Sequence, residues 1–361
     1  MRLFYPLNVA RMCALLLGLA VSLPVTAPEA AAQTRPKSSK TTTSTKTTTS
    51  TVKKPVKKTY SASSSRARAA RLARARAAAR AREAARMRQL QEAMTPRFKT
   101  DAVTGSLVPD VRAAAAIIFN PETGEVLWQE NAQDKRSIAS ITKVMTAVVF
   151  LESHPDLSQV VTIERADTYA ASTTYLRTNE RVSLNDLLHL TLIASDNAAA
   201  RALARVSHGG NAAFVERMNE KAVQLGLEST TFADPSGLNA ANISSAYDLS
   251  RLISYASSNE TISPIMRTQN YTATVGRRRV AIHNTNRLLG GTDVEVMGGK
   301  TGFISKAGYC LATLLKLPQG SPVAVVVLGA KSNPGRFWET KHLINWMSQK
   351  ASDLFRKDQQ E

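Results

Sequence analysis

The chain has 361 residues, 43% of them hydrophobic, enough to fill the core of one large domain or two ordinary ones. Its formal net charge of +19 is concentrated in one segment: residues 33–93 hold 17 Lys and Arg against two Glu, whereas residues 94–361 hold 28 basic and 25 acidic side chains. The basic character therefore belongs to a tail, and bulk charge does not class the near-neutral remainder as a nucleic-acid-binding protein.

In chain order, Arg2 and Arg11 precede an apolar run over residues 13–23 and a small-residue segment ending at Ala32. This is the layout of a secretory signal peptide over residues 1–32, too short to span a bilayer comfortably, with a retained N-terminal anchor as the alternative. Cys13 lies at the start of the apolar run, where it is badly placed to be a lipidated N-terminal cysteine. Cleavage would leave Cys310 alone, which excludes an intramolecular disulfide. Residues 33–65 are rich in Lys, Thr and Ser with little to bury and read as a disordered spacer. Residues 66–107 open with Ala and Arg, both strong helix formers, but the arginines at 66, 68, 71, 74, 76, 80, 82, 86 and 88 point all round a helical cylinder. That segment reads either as a solvated stalk or as a contact for an anionic envelope polymer. Export and the absence of interleaved aromatics argue against specific nucleic-acid binding.

The globular region is expected over residues 108–361. Strand-like residues 113–119 and 125–129 flank Asn120-Pro121-Glu122-Thr123-Gly124, which predicts a hairpin. Helical signals follow at 140–152, 184–194, 198–206 and 211–225. Strand character returns at 271–274, 279–282, 308–315 and 322–328, the last two around Pro318-Gln319-Gly320, before an amphipathic helix at 336–355. Strands at both ends of a helical middle predict an α+β fold, its sheet assembled from the two ends of this region with a helical lobe beside it. No internal repeat is present.

Ser140 and Lys143 are three residues apart in a helical segment, so their side chains share a face about 300° round the helix. A serine hydroxyl becomes a strong nucleophile when a base takes its proton, and a lysine among apolar residues can be that base. The same pair can equally be a helix cap and a snorkelling lysine. The spacing recurs in the tail at Ser50-Thr51-Val52-Lys53, so by itself it decides nothing. Ser195-Asp196-Asn197 falls at a break between helical segments, where a hydroxyl and an amide can face a cleft. Ser-x-Asn also recurs, at Ser183-Leu184-Asn185 and Ser257-Ser258-Asn259. Lys300-Thr301-Gly302 precedes strand-like sequence. The ordered combination of all three motifs is the specific signal.

That combination resembles the low-molecular-mass penicillin-binding proteins, the serine DD-peptidases of peptidase family S11, above all their D-alanyl-D-alanine endopeptidase branch. The likeness runs from Ala113 to about Gln349 and includes RSIASITKVMTA, LLHLTLIASDNAAARALA, MNEKAVQLGLESTTFADPSGLNAANISSAYDL, HNTNRLL and GGKTGFISKAGYCLA. It implies a DD-peptidase/β-lactamase-like fold, an antiparallel sheet flanked by helices. It makes Ser140 the acylated nucleophile and Lys143 its base, with Ser195 and Asn197 in proton relay and substrate orientation. Lys300 and Thr301 would hold the substrate carboxylate, Gly302 would let the substrate backbone approach, and the backbone N–H groups of Ser140 and Phe303 would form the oxyanion hole.

The implied substrates are peptidoglycan stem peptides, with β-lactams as covalent inhibitors and no cofactor. Asn179 stands where the family often has a turn glycine, a mild departure since asparagine tolerates positive φ. No Glu-x-x-Leu-Asn element follows Asn197, which implies slow β-lactam hydrolysis. The chain stops after one terminal helix, without the second domain and anchor of the carboxypeptidase branch, which favours the soluble endopeptidase branch. Cutting cross-links and trimming terminal D-Ala both remain open, as does a non-catalytic wall-binding scaffold. The five histidines show no metal-ligand spacing, His283 reads as structural support, and Cys310 as a small apolar residue in a central strand.

Overall fold

The computed structural model describes residues 62–291, 294–316 and 320–358. The expected signal peptide, nearly all of the spacer and positions 318–319 of the Pro-Gln-Gly turn lie outside the described residues. Helix α1 (Ala62–Met94) carries its arginines on every side and is exposed from residue 66 to 89; near its end Leu90 is partly and Ala93 fully covered. A short hairpin of β1 (Phe98–Thr100) and β2 (Leu107–Pro109) follows.

Strands β3 (Ala115–Phe119) and β4 (Val126–Glu130) form the expected hairpin around Asn120–Gly124. After β5 (Arg136–Ser137), a 3-10 turn (Ala139–Ile141) leads into α2 (Thr142–Glu152). The helical lobe then includes β6 (Val160–Thr162), α3 (Arg165–Thr168), β7 (Arg181–Ser183), α4 (Leu184–Leu192), α5 (Asn197–Val206) and α6 (Gly210–Gln224). Next come β8 (Ile243–Ser244), α7 (Ala246–Ser257), α8 (Ile262–Arg267), β9 (Asn270–Val275) and β10 (Arg278–His283). The chain closes with β11 (Glu295–Ile304), β12 (Gly308–Lys316), β13 (Pro322–Ala330) and α9 (Asn333–Asp358).

The main sheet is antiparallel with strand order β11-β12-β13-β3-β4, so it is assembled from the two ends of the globular region. Alternate side chains of its central strands enter two different cores. Cys310, Ala312, Ala324, Val326, Ala115 and Ile117 join the helical lobe. Leu311, Leu315, Val323, Val325 and Ile118 join Phe337, Leu343 and Ile344 of α9. Burial on both faces explains why β12 and β13 read as continuous apolar runs instead of alternating ones.

One expectation is corrected and one extended. Residues 271–274 and 279–282 do form strands, but β9 and β10 join β7 and β6 in a separate four-stranded sheet on the lobe. Lys300-Thr301-Gly302 precedes the expected strand at 308–315, which is β12, and itself lies inside a further strand, β11, at the edge of the main sheet. Gly298, Gly299 and Gly302 hid this strand because glycine weakens any strand signal. Each is there for close approach: an added Cβ would stand 2.2 Å from Ser257 Oγ, 2.7 Å from Asn286 Nδ2 and 2.7 Å from the Ile138 carbonyl oxygen respectively.

Candidate active site

The turn before α2 presents Ser140. Ala139 holds a positive φ of 49°, a strained conformation for a residue with a side chain and one that concentrates at functional turns. Ser140 is half-buried and caps no helix; its Oγ accepts a hydrogen bond from Lys143 Nζ at 3.0 Å. Lys143 does not snorkel either, being 0% exposed. Its ammonium also donates to Asn197 Oδ1 at 2.6 Å and to the Ser236 carbonyl. Burial pulls the Lys143 pKa down to about 7, against the attraction of the Asp196 and Asp234 carboxylates; the Arg201 cation adds to the lowering.

The second motif occupies the break between α4 and α5. Ser195 has φ of 60°, and Asp196 caps α5 by accepting from Ala199 N at 2.9 Å. The other Asp196 oxygen accepts from Tyr175 N at 2.6 Å and from the Thr174 hydroxyl, so the carboxylate is a scaffold and no hydrogen bond joins it to Lys143. Asn197 is oriented by donating its amide to Ala171 O at 2.7 Å and Ser172 Oγ at 3.2 Å, which leaves Oδ1 for Lys143. Ser195 is half-buried, and its hydroxyl makes no hydrogen bond to Ser140 or Lys143. Asn179, earlier in the lobe, has φ of 68°, the positive φ that asparagine accommodates.

The third motif comes from β11, pressed against the turn of Ser140. A Cβ at Gly302 would stand 3.2 Å from Ser140 N, so the backbone of this strand passes directly beside the Ser140 amide. Lys300 is 1% exposed and donates to Thr301 O at 3.1 Å; burial, then the Lys143 and Arg336 cations, hold its pKa well below the usual lysine range. Thr301 Oγ1 donates to Thr285 Oγ1 at 2.6 Å. Phe303, 49% exposed, stacks on Tyr309 at 4.3 Å. Two buried lysines, Lys143 and Lys300, thus come together at the turn of Ser140, where a negatively charged group would be favoured.

The structure also supplies groups that the motifs do not contain. Ser236 provides a carbonyl to Lys143, and Gly237, at φ of 81°, packs so close that a Cβ would be 2.1 Å from Ala139 O. They belong to the turn cluster Asp234-Pro235-Ser236-Gly237, which lies in a stretch of the family likeness, residues 218–249, but outside its three motifs. Arg336 of α9 is buried and donates to the carbonyls of Gly302 at 3.0 Å and Cys310 at 3.2 Å, tying the third motif to its neighbouring strand. Cys310 is buried within β12, its thiol pKa pushed up to about 11 by burial. His283 ends β10 in a hydrogen bond with Asn270. No group of metal-ligating side chains occurs among the described residues.

Residues 102–332 match the family described as D-alanyl-D-alanine carboxypeptidase, peptidase family S11. A D-alanyl-D-alanine endopeptidase of Escherichia coli is 32% identical over 253 residues, 69% of this chain and 81% of its own. A DD-transpeptidase of Streptomyces superposes with a TM-score of 0.61 at 32% identity, covering 66% of this chain and 97% of that one. A penicillin-binding protein of Listeria monocytogenes, in its cefotaxime-bound form, superposes with a TM-score of 0.59 at 30% identity, covering 65% and 97%. The buried lysine beside a serine, the amide that orients it and the lysine-bearing edge strand thus sit on the fold of the penicillin-binding DD-peptidases, and the chain belongs to the S11 family of serine D-alanyl-D-alanine peptidases.

Proposed function

We propose that this serine peptidase is exported and cleaves D-Ala-containing cross-links of peptidoglycan as a DD-endopeptidase, through an acyl-enzyme on Ser140. The observation that carries the reaction is the contact between a wholly buried Lys143 amine and Ser140 Oγ at 3.0 Å. An amine with a pKa of about 7 exists largely as free base above neutrality and can take the hydroxyl proton as the oxygen attacks the substrate carbonyl. The N–H groups of Ser140 and Phe303 are assigned to the developing oxyanion, and Ser195 to carrying the proton to the leaving amine. Lys300 and Thr301 bind the carboxylate of the leaving residue, Asn197 orients the acyl side, and Gly302 leaves room for the substrate backbone. Water then releases the product and Ser140 regains its proton.

The endopeptidase relative, aligned over 81% of its length, supports cross-link cleavage. The family's own description supports a second reading, removal of terminal D-Ala as a carboxypeptidase. The apolar leader supports export, and the arginine-covered α1 suits weak contact with an anionic envelope polymer. A fluorescent penicillin is expected to label the protein covalently and slowly leave it, with no label on Ser140→Ala; an unlabelled wild type would refute the enzymatic reading. Purified cross-linked muropeptide dimers are expected to yield monomers, and dimers left intact while pentapeptides lose D-Ala would establish the carboxypeptidase reading instead.

A further inference from the structure

The Lys143 amine is surrounded by three oxygens of two kinds. Asn197 Oδ1 and Ser236 O are carbonyls, which only accept hydrogen bonds; Ser140 Oγ is a hydroxyl, which also donates. A free amine has two N–H bonds and one lone pair. Only one arrangement satisfies all three contacts: each N–H donates to a carbonyl, and the lone pair receives the Ser140 proton. The Ser236 carbonyl therefore does more than accommodate a buried ammonium, because it aims the base.

What holds that carbonyl is Asp234. Its Oδ1 accepts from Ser236 N at 2.5 Å, Ser236 Oγ at 2.7 Å and Gly237 N at 2.7 Å, and its Oδ2 from Asn239 N at 2.5 Å and Asn242 Nδ2 at 3.0 Å. The loop so gathered is tied to the nucleophile's turn at separate points. Thr146 Oγ1 donates to Pro235 O at 2.6 Å, Ile138 N donates to Asn242 O at 3.1 Å, and Gly237 abuts the Ala139 carbonyl. All five donors belong to the loop itself and none is Ser140 or Lys143, so the carboxylate acts through the loop.

We propose that Asp234 is a positioning residue for the serine–lysine pair, fixing the Ser236 carbonyl so that the Lys143 lone pair faces Ser140 Oγ. This rests on the reading of Lys143 as the base. The charged groups acting on Lys143 are Asp234 from the loop, Asp196 from the α4–α5 break, Arg201 from α5 and Lys300 from β11. Asp234 favours the protonated lysine, so removing its charge makes the free base available at lower pH.

The test is the rate of acylation by a chromogenic cephalosporin or penicillin against pH, normalised to the sites that finally label. Asp234→Asn, which keeps one accepting oxygen but no charge, is expected to move the rising limb of the profile to lower pH with a plateau within a few-fold of wild type. Asp234→Ala is expected to shift the limb the same way and to lower the plateau by about tenfold or more, with the initial non-covalent complex bound as before. Wild-type limb and plateau in both variants, or a loss confined to non-covalent binding, overturns the proposal. Should Asp234→Ala not fold, an unmoved limb in Asp234→Asn overturns it alone. Failure of the underlying reading looks different: the wild type does not label, or Ser140→Ala still does.

Discussion

Lys143 sits where its side chain would not choose to be, wholly buried among apolar neighbours. The folded pKa is about 7 against an ordinary 10.5, because burial penalises the charged form. Between those values the unfolded chain holds a proton that the folded chain lacks, so this group makes stability rise as pH rises through the window from about 7 to 10.5. The melting temperature of the wild type is expected to gain on that of Lys143→Met across that range; a constant difference would show that the lysine does not titrate there. In the proposed mechanism the same free base takes the Ser140 proton, so the wild-type labelling rate is expected to climb through neutral pH and level off above it. Stopped-flow labelling reads this directly. At this scale the spacing of Ser140 and Lys143 was legible in the sequence, but its meaning was not. A snorkelling lysine and a buried one have the same neighbours in sequence.

Elements approach one another so closely around Ser140 that single methyl groups decide the geometry. Gly237 has both a positive φ and a carbonyl in the place of a side chain, so Gly237→Ala is expected to cost roughly 2 kcal/mol or more of stability and to slow acylation. Gly105→Ala is the control. Its φ of 68° imposes comparable backbone strain, yet nothing lies within 4 Å of the added carbon, so the expected cost is about 1 kcal/mol with acylation unchanged. Thermal melts and labelling rates of the two variants separate steric displacement from backbone strain. The glycines of β11 follow the same logic and explain why that strand has so weak a local pattern. Residues 308–315 and 322–328 announced β12 and β13 by apolar content, whereas β11 sacrifices side chains to admit Ser257, Asn286 and the Ile138 carbonyl. The packing of other elements, absent from any local pattern, makes it a strand.

The molecule as a whole couples a two-faced sheet to a basic helix that takes little part in either core. Only the end of α1 is covered: Ala93 is buried, and the Met94 carbonyl meets His342 Nε2 at 3.0 Å. Removing residues 33–88 preserves that docked end and takes away every arginine of the run. Penicillin acylation by this variant is expected to match the full chain, while adsorption to an anionic wall polymer falls and loses its salt dependence. Equal, salt-sensitive adsorption by both proteins in a pull-down would place the contact elsewhere.

By itself the sequence determined the class of chemistry and most of the elements. Three motifs in fixed order are a local property of residue types, and apolar periodicity records which face of each helix and strand is buried. Tertiary structure alone decided why the chemistry can proceed. The two carbonyls that receive Lys143 come from residues 54 and 93 positions away, and the loop bearing one of them lies outside the three motifs. Desolvation and the aim of a lone pair depend on what other segments place around a group, and those segments are brought together only when the sheet and the lobe close on Ser140.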